Sequence, residues 1–461
     1  MRFAIFVSNR TTFPQQLVME AVSSVKKALE KEGITPILPP EPASAAAADL
    51  AAGQKYAAFL KENPCDGVLA VFPNFGDESS CHAALRDAGV PILFVAIADT
   101  LDAMGAAVRR DSFCGKISAV NYFRQCGTPC TCLAPHTVDL QSAAFAQNLK
   151  DFSSICRIVK GMKRLRTGSI GARCTPFKTV RFDETALEKY GITNEAFDLS
   201  ELFSLIDSLS DTESKVREKC NYIQNYSLWP ANTEEVQLRM AKLALSIEEM
   251  IRRYQLDLVT LRCWTELEEK LKLSPCMVLS MLNENGVTAN CEVDTVNAVT
   301  MHMLSLAANA PGACLDWNNN YGNEENACIL FHCGPTACSL MEKGAKIVDH
   351  PMFARVLGCG NGLGCNEGRM KEGLFTWTSS MTREGKFALV LDRGTFGPEK
   401  LPEEFFGCGG VAHFSDFQKK LLFLLKKGFP HHMTLSYGDH FTAVEEAVST
   451  YLHYDLFTFE K

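Results

Sequence analysis

No apolar run in this 461-residue sequence reaches the length needed to cross a bilayer. No charged leader with a long apolar stretch opens it: MRFAIFVSNR reads as a short buried strand and a turn. Positive charge is not in excess. The net charge of −8 argues against nucleic acid and against an anionic membrane surface as partners. The first strand leads into SNRTTFP without a glycine fingerprint, and GCGNGLG (358–364) does not join a clear strand to a clear helix. A dinucleotide oxidoreductase is therefore disfavoured, and the second stretch reads as loop. Internal repeats at solenoid periods and long low-complexity tracts are also missing. The nineteen cysteines are scattered through apolar segments and form no secreted-type framework, so they read as reduced thiols of a cytoplasmic protein. Their tightest cluster is Cys126, Cys130 and Cys132 in CGTPCTC, with no second Cys/His pair at finger-like spacing.

The length calls for two or three domains. Residues 1–160 alternate strands (RFAIFVS, GVLAVFP, PILFVA) with helices (PQQLVMEAVSSVKKALEKEG, an Ala-rich run near 44–61, HAALRDAG), which is the logic of a parallel sheet wrapped by helices. The charged KGMKRLRTG (160–168) marks a boundary. A second α/β unit follows over 161–305, with strands GSIGARC and LDLVTLRCW, helices in FDETALEKYG, FDLSELFSLIDSLS and SPCMVLSMLNENG, and a long amphipathic helix over about 233–254. From 306 to 461 the chain turns β-rich: ENACILFHCG, GLFTWTSSM, KFALVLDRG and HHMTLSYGD are strands, with helices in KKLLFLLKKG and TAVEEAVSTYLH. The expected architecture is α/β: two Rossmann-like doubly wound domains, then a mixed, β-rich C-terminal domain. Functional loops belong at strand C-termini, in SNR (8–10), PNFGDE (73–78) and the segment after PILFVA.

In NCEVDTVNAVTMHML (290–304), Glu292 and Asp294 head a run with Val293, Val296, Val299 and Met303 at roughly helical spacing. Asn290 is positioned to cap that helix, and acids are favoured in its first turn. An unpaired acid against an apolar face is costly. Glu292, Asp316 in CLDWNNN and His432 in PHHMTLSYGDH form a donor set suited to a divalent ion such as Mn²⁺ with positions left open for substrate. Taken singly, each also reads as structural: Glu292 as a first-turn acid, Asp316 as a turn residue beside Asn318 and Asn319, His431 and His432 as loop residues after Pro430. His332 in FHCG reads as a core histidine or as a site residue. RRDSFCG (109–115) reads as a solvated loop or as a substrate contact.

The ordered motifs LRCW, CMVLSMLNENG, CEVDTVNAVTMHML, CLDWNN and FHCG over about 255–340, with PHHMTLSYGDH near the C-terminus, resemble the L-fucose isomerase/L-arabinose isomerase group, especially its shorter fucose-isomerase-like members. SNRTTFP, PNFGDE and RRDSFCG resemble the loops of that group's first domain. The resemblance implies that Glu292, Asp316 and His432 bind Mn²⁺ or another divalent ion. It also implies that the two acids form the acid/base pair of an aldose–ketose isomerisation through a cis-enediol. In that group a metal supplies the partner that Glu292 otherwise lacks. His332 falls where arabinose isomerases have a further metal-site histidine, and His431 is an alternative to His432. Trp317 and Asn318 are implied to line the pocket. The group forms hexamers or smaller symmetric assemblies whose sites are closed by a neighbour's first domain, a role that Arg10, Asn74, Glu78 and Arg110 would fill here. Some relatives isomerise sulfoquinovose, a C6-sulfonated hexose, and Arg10, Arg109 and Arg110 suit an anionic group. The alternative expectation is a non-catalytic sugar-binding protein on the same scaffold.

Overall fold

The computed structural model describes residues 1–459. It is a mixed α/β protein with parallel sheets and a mixed, β-rich C-terminal sheet. The chain divides into two compact units, Met1–Lys160 with Thr442–His453, and Gly161–Phe441 with Tyr454–Lys461. No helix among the described residues is long and apolar enough to cross a membrane.

In the first unit, strands Thr35–Ile37, Arg2–Ser8, Gly67–Phe72, Ile92–Ile97 and Thr137–Val138 lie in that order, with Ala46–Ala47 also on Arg2–Ser8, in one six-stranded sheet. All its pairings are parallel. Phe3 to Val7 and Val68 to Phe72 are fully buried in unbroken runs, as expected where helices cover both faces. The Ala-rich segment is not one helix. Pro42–Ala45 is a 3₁₀ turn, and the helix starts at Leu50, where the Asp49 carboxylate accepts from Ala52 N at 2.8 Å. The cap outweighs the helix preference of the alanines before it. The closing helix of the chain, Phe441–Ala447, is counted with this unit from Thr442 onward.

The second unit holds a four-stranded sheet, Thr288–Cys291, Leu258–Leu261, Leu165–Ile170 and Ile192–Phe197 in order, all parallel. Ile192–Phe197 (ITNEAF) is a strand the sequence pattern does not announce; it lies at the sheet edge, where polar residues face outward. The same unit carries a nine-stranded mixed sheet. Within it, Ala313–Asn320 pairs Ala327–His332, which pairs Cys408–His413, then Lys386–Phe396, Gly373–Arg383, His432–Tyr437 and Ala313–Asn320 again. These strands close a ring around Leu315, Leu330, Phe375, Trp377, Met433 and Leu435. Helix Thr295–Ala308 packs on His432–Tyr437 and Gly373–Arg383, and also on the four-stranded sheet. Covered on two sides, it is buried almost all round.

Candidate functional site

Strand Thr288–Cys291 passes into helix Thr295–Ala308 through Glu292, Val293 and Asp294, at the C-terminal end of a parallel strand, where such sheets place their working loops. Glu292 and Val293 both take left-handed backbone, with φ of 62° and 59°. That conformation costs a non-glycine residue about 1–2 kcal/mol. Burial of the Val293 side chain, 4% exposed, returns about 1.5–3 kcal/mol and holds the turn. Glu292 therefore lies in the turn and not in the helix's first turn. The cap is also not Asn290: Asp294 caps the helix, accepting from Asn297 N at 3.2 Å and Asn297 Nδ2 at 2.7 Å. Asn290 instead donates to the Asp294 carbonyl at 3.3 Å.

Asp316 and His432 are direct partners across an antiparallel pair of strands. They alternate with Leu315 and Met433, which face the ring interior, so both point out of it. His432 Nε2 lies 3.1 Å from Glu292 Oε2 and 3.2 Å from Asp316 Oδ1. His432 Nδ1 meets Asp294 Oδ2 at 2.6 Å. Of the histidine doublet, His432 is the one close to both carboxylates; His431 reaches Asp316 Oδ1 at 3.6 Å and is far more exposed. Glu292, Asp294 and His432 are at most 5% exposed.

Glu292 Oε2 and Asp316 Oδ1 are buried without a hydrogen-bond partner. A single Nε2–H cannot serve two carboxylates at once. This set of two unpartnered carboxylate oxygens and one imidazole nitrogen fits a divalent cation, and an imidazole whose other nitrogen meets a carboxylate is the usual outer-shell arrangement at such centres. Burial alone would depress the His432 pKa, but Cys314, Asp294, Asp316 and Glu292 hold it well above the ordinary histidine range. Burial alone would raise Asp316, yet His432, His332 and His431 keep its carboxyl below the usual range.

His332 lies nearby, its ring centroid 5.8 Å from that of His432. Its Nε2 is 3.3 Å from Cys291 Sγ, and its Nδ1 accepts from Cys333 N at 2.9 Å. Phe177 forms an aromatic wall 5.4 Å from His431 and 5.8 Å from His432, with Trp264 5.6 Å behind it. Trp317 is not at this surface. It packs against Trp377, Phe414 and Phe417 on the side opposite Asp316. Asn318 is exposed and bonds Asn319.

Arg10, Asn74, Glu78 and Arg110 come together in the first unit, at the C-terminal ends of its strands. Asn74 Oδ1 accepts from Arg10 N at 3.1 Å, and Arg10 Nη2 reaches Glu78 Oε2 at 3.3 Å. Arg110 Nη1 donates to Pro73 O at 3.3 Å. Arg109 pairs with Asp111 at 3.2 Å. Sequence reasoning gave no role to Asp294, whose signal was only an acid two residues after Glu292. It also passed over Glu268, which is 1% exposed with Oε2 unpartnered. Burial first, then Cys263, Glu269 and Glu292, push the Glu268 carboxyl up to about 10.

Residues 4–163 match the N-terminal domain of the fucose/sulfoquinovose isomerases, and residues 330–460 match the L-fucose isomerase C-terminal domain. Proteins named sulfoquinovose isomerase match as well. One from Priestia aryabhattai is 24% identical over 82% of this chain and 82% of its own. One from Clostridium sp. (strain MSTE9) is 24% identical over 73% of each chain. One from Alkalicoccus urumqiensis is 23% identical over 83% of this chain and 84% of its own. Among solved structures, a periplasmic solute-binding protein from Actinobacillus succinogenes aligns at 10% identity over 67% of this chain and 92% of that one, with a TM-score of 0.18, too low to bear on the fold. Aldose–ketose isomerase is the class of enzyme that the domains and the named relatives define. The chain belongs to the fucose/sulfoquinovose isomerase family, matching its domains at both ends.

Proposed function

We propose that the protein is a cytoplasmic, divalent-metal-dependent isomerase that converts sulfoquinovose to the corresponding ketose. The observation that carries the metal is the convergence of Glu292 Oε2 and Asp316 Oδ1, both buried and unpartnered, on His432 Nε2 at 3.1 and 3.2 Å. Glu292, Asp316 and His432 hold the ion, with Mn²⁺ the choice of the resemblance. A bound divalent ion supplies Lewis acidity to two neighbouring sugar oxygens. One of the two carboxylates takes the proton from C2 and returns it at C1 through a cis-enediol, while the O2 hydroxyl proton passes to O1. Asp294 orients His432, and Phe177 screens the site from water. The sulfonated substrate is supported by the names of the relatives and by the arginines of the first unit. In this reading Arg10, placed by Asn74 and Glu78, and Arg110, placed by Asp99 and the Pro73 carbonyl, complete the site of a neighbouring subunit in a homo-oligomer, a hexamer or smaller.

The test is incubation of chelator-treated protein with L-fucose, D-arabinose, L-arabinose, L-rhamnose, D-glucose and sulfoquinovose, with and without Mn²⁺, following ketose. Metal-dependent ketose from sulfoquinovose, lost in Glu292→Gln without loss of the folded state, is expected. Full activity in Glu292→Gln, or turnover unaffected by chelation, would overturn the mechanism. Preference for an uncharged sugar would overturn the substrate.

A further inference from the structure

His350 has no part in the reaction above, yet its surroundings tie it to the donor set from two directions. Phe331 is the direct cross-strand partner of Asp316 on one side, as His432 is on the other, so the three side chains share one face. From Phe331 the rings run to Phe406 at 5.2 Å and on to His350 at 5.4 Å. From His432 they run to Phe177 at 5.8 Å, Trp264 at 5.6 Å and Phe353 at 6.5 Å, and again reach His350, at 4.3 Å. The two rows start beside the donors and meet at one imidazole, forming a collar of rings based on the strand pair that carries Asp316 and His432. Phe177, Trp264, Phe353 and Phe406 are only half-buried and leave ring surface for a ligand.

The second observation is the state of that imidazole. His350 is 1% exposed, and its Nδ1 is buried without a hydrogen-bond partner. An unpaired buried polar atom is costly. The backbone gives the ring little freedom to seek a partner elsewhere. His350 N donates to Gly362 O at 3.0 Å, and its carbonyl accepts from Ala354 N at 2.9 Å where helix Pro351–Leu357 begins. The Asp349 carboxylate accepts from Gly360 N at 2.7 Å and from Gly362 N at 2.9 Å, so the GCGNGLG stretch clamps the strand end that leads into His350. Burial, opposed by Asp349, pushes the ring down to about 4, and it is neutral near pH 7. A neutral ring nitrogen suits a hydroxyl, which donates or accepts as the tautomer requires, and it brings no positive charge for a sulfonate.

We propose that His350 is a substrate-binding residue whose Nδ1 hydrogen-bonds a sugar hydroxyl beyond C2, while the collar of rings covers the sugar's C–H faces. In the function proposed above, on which this rests, C1 and C2 lie at Glu292, Asp316 and His432, so the hydroxyl is that of C3, C4 or C5. His350 then reads configuration at that carbon. Pockets walled by aromatic and apolar groups fix their ligands through a few polar atoms placed in this way.

The experiment measures binding and turnover of sulfoquinovose and its 3-, 4- and 5-deoxy analogues by the whole protein and by His350→Phe, with Mn²⁺ present. In the unaltered protein one analogue should bind about 10-fold or more weaker, because it leaves Nδ1 unpaired. His350→Phe should weaken sulfoquinovose by about the same factor, mainly through KM, and should bind that one analogue no worse than sulfoquinovose. His350→Asn, which keeps a polar atom near the place of Nδ1, should recover part of the loss. Mn²⁺ affinity and resistance to urea without sugar should not fall in His350→Phe, since the change removes an unpaired polar atom from the protein alone. A merely structural histidine would lose stability on substitution and weaken all the sugars alike. Sulfoquinovose affinity within about twofold of the unaltered protein in His350→Phe, or the same ranking of analogues in both proteins, would overturn the inference alone. No binding of any aldose by the unaltered protein would overturn the function, and this inference with it. If the unaltered protein prefers another aldose, deoxy analogues of that sugar take the place of these, and if His350→Phe does not fold, His350→Leu gives the same comparison.

Discussion

Replacing Asp294 by Asn separates the two tasks of that side chain. As a cap, the carboxylate accepts from Asn297 N at 3.2 Å; as an orienting partner, it holds His432 Nδ1 at 2.6 Å. Asn caps helices about as well as Asp, so helix Thr295–Ala308 loses little. The charge-assisted bond to His432 is different. Such bonds contribute about 1.5–3 kcal/mol, which is about 10- to 150-fold in an equilibrium constant. Calorimetric titration of Mn²⁺ into metal-free protein should therefore show affinity falling by about one to two orders of magnitude in Asp294→Asn. Asp294→Ala should add a loss of about 1 kcal/mol of stability from the missing cap. The proton balance gives a second readout. His432 is held above its unfolded value of about 6.5. The stabilisation of its charged form in the metal-free protein is complete below that value and is lost as pH rises through the folded pKa. An ion needs the neutral ring, so binding should release a proton near neutral pH and tighten as pH rises. Less proton release is expected in Asp294→Asn. An affinity change below about threefold, with unchanged proton release, would refute the orienting role.

Glu268 gives a pH signature of the opposite kind. Its carboxyl, at about 10 in the folded chain, stays protonated where the unfolded chain ionises. It should therefore subtract stability progressively above about pH 4.3, by up to about 1.4 kcal/mol per pH unit until the folded value is reached. Urea unfolding of Glu268→Gln across that range should show a flatter loss of stability than the unaltered protein, and parallel curves would refute the assignment. The ion pair of Lys420 and Asp392, 6% and 7% exposed, is buried in the second unit. Lys420→Met leaves Asp392 without its partner and should cost about 3–5 kcal/mol by denaturant titration, whereas a loss under 1 kcal/mol would show that Asp392 finds water.

Strands Arg2–Ser8, Gly67–Phe72, Ile92–Ile97 and Leu258–Leu261 of the parallel sheets were legible because chain covered on two faces reads as continuous apolar runs, as in Phe3 to Val7. Thr288–Cys291, with Thr288 and Asn290 in it, reads instead as the head of a helix. ITNEAF was not legible, since an edge strand carries no such run. Helix Thr295–Ala308 was legible as a helix, but its start was not. Asn290 and Asp294 are both good caps, and the strand–turn geometry around Glu292 decides between them. The donor set Glu292, Asp316 and His432 could be named from its resemblance, but the bare spacing did not carry it. His431 and His432 could not be told apart until the pairing with Asp316 set the register. Trp317 was expected at the pocket because it adjoins Asp316, yet adjacent strand residues face opposite ways, and its ring belongs to the core. Pairings between distant segments, such as Asp294 with His432, leave no local pattern to read.

The direct pairing of Asp316 with His432 also bears on how this chain tolerates change. Both donors are placed by strand register, and a slip of one residue would turn them into the ring interior. The loops between them in sequence are under no such constraint on length, so long as the ring strands that they join keep their pairing. Insertions and deletions in loops between residues 320 and 431 can therefore accumulate while the donor spacing stays constant. Under the function proposed above, substrate preference can then drift while the two donors stay fixed, and a designer could graft loops there without rebuilding them.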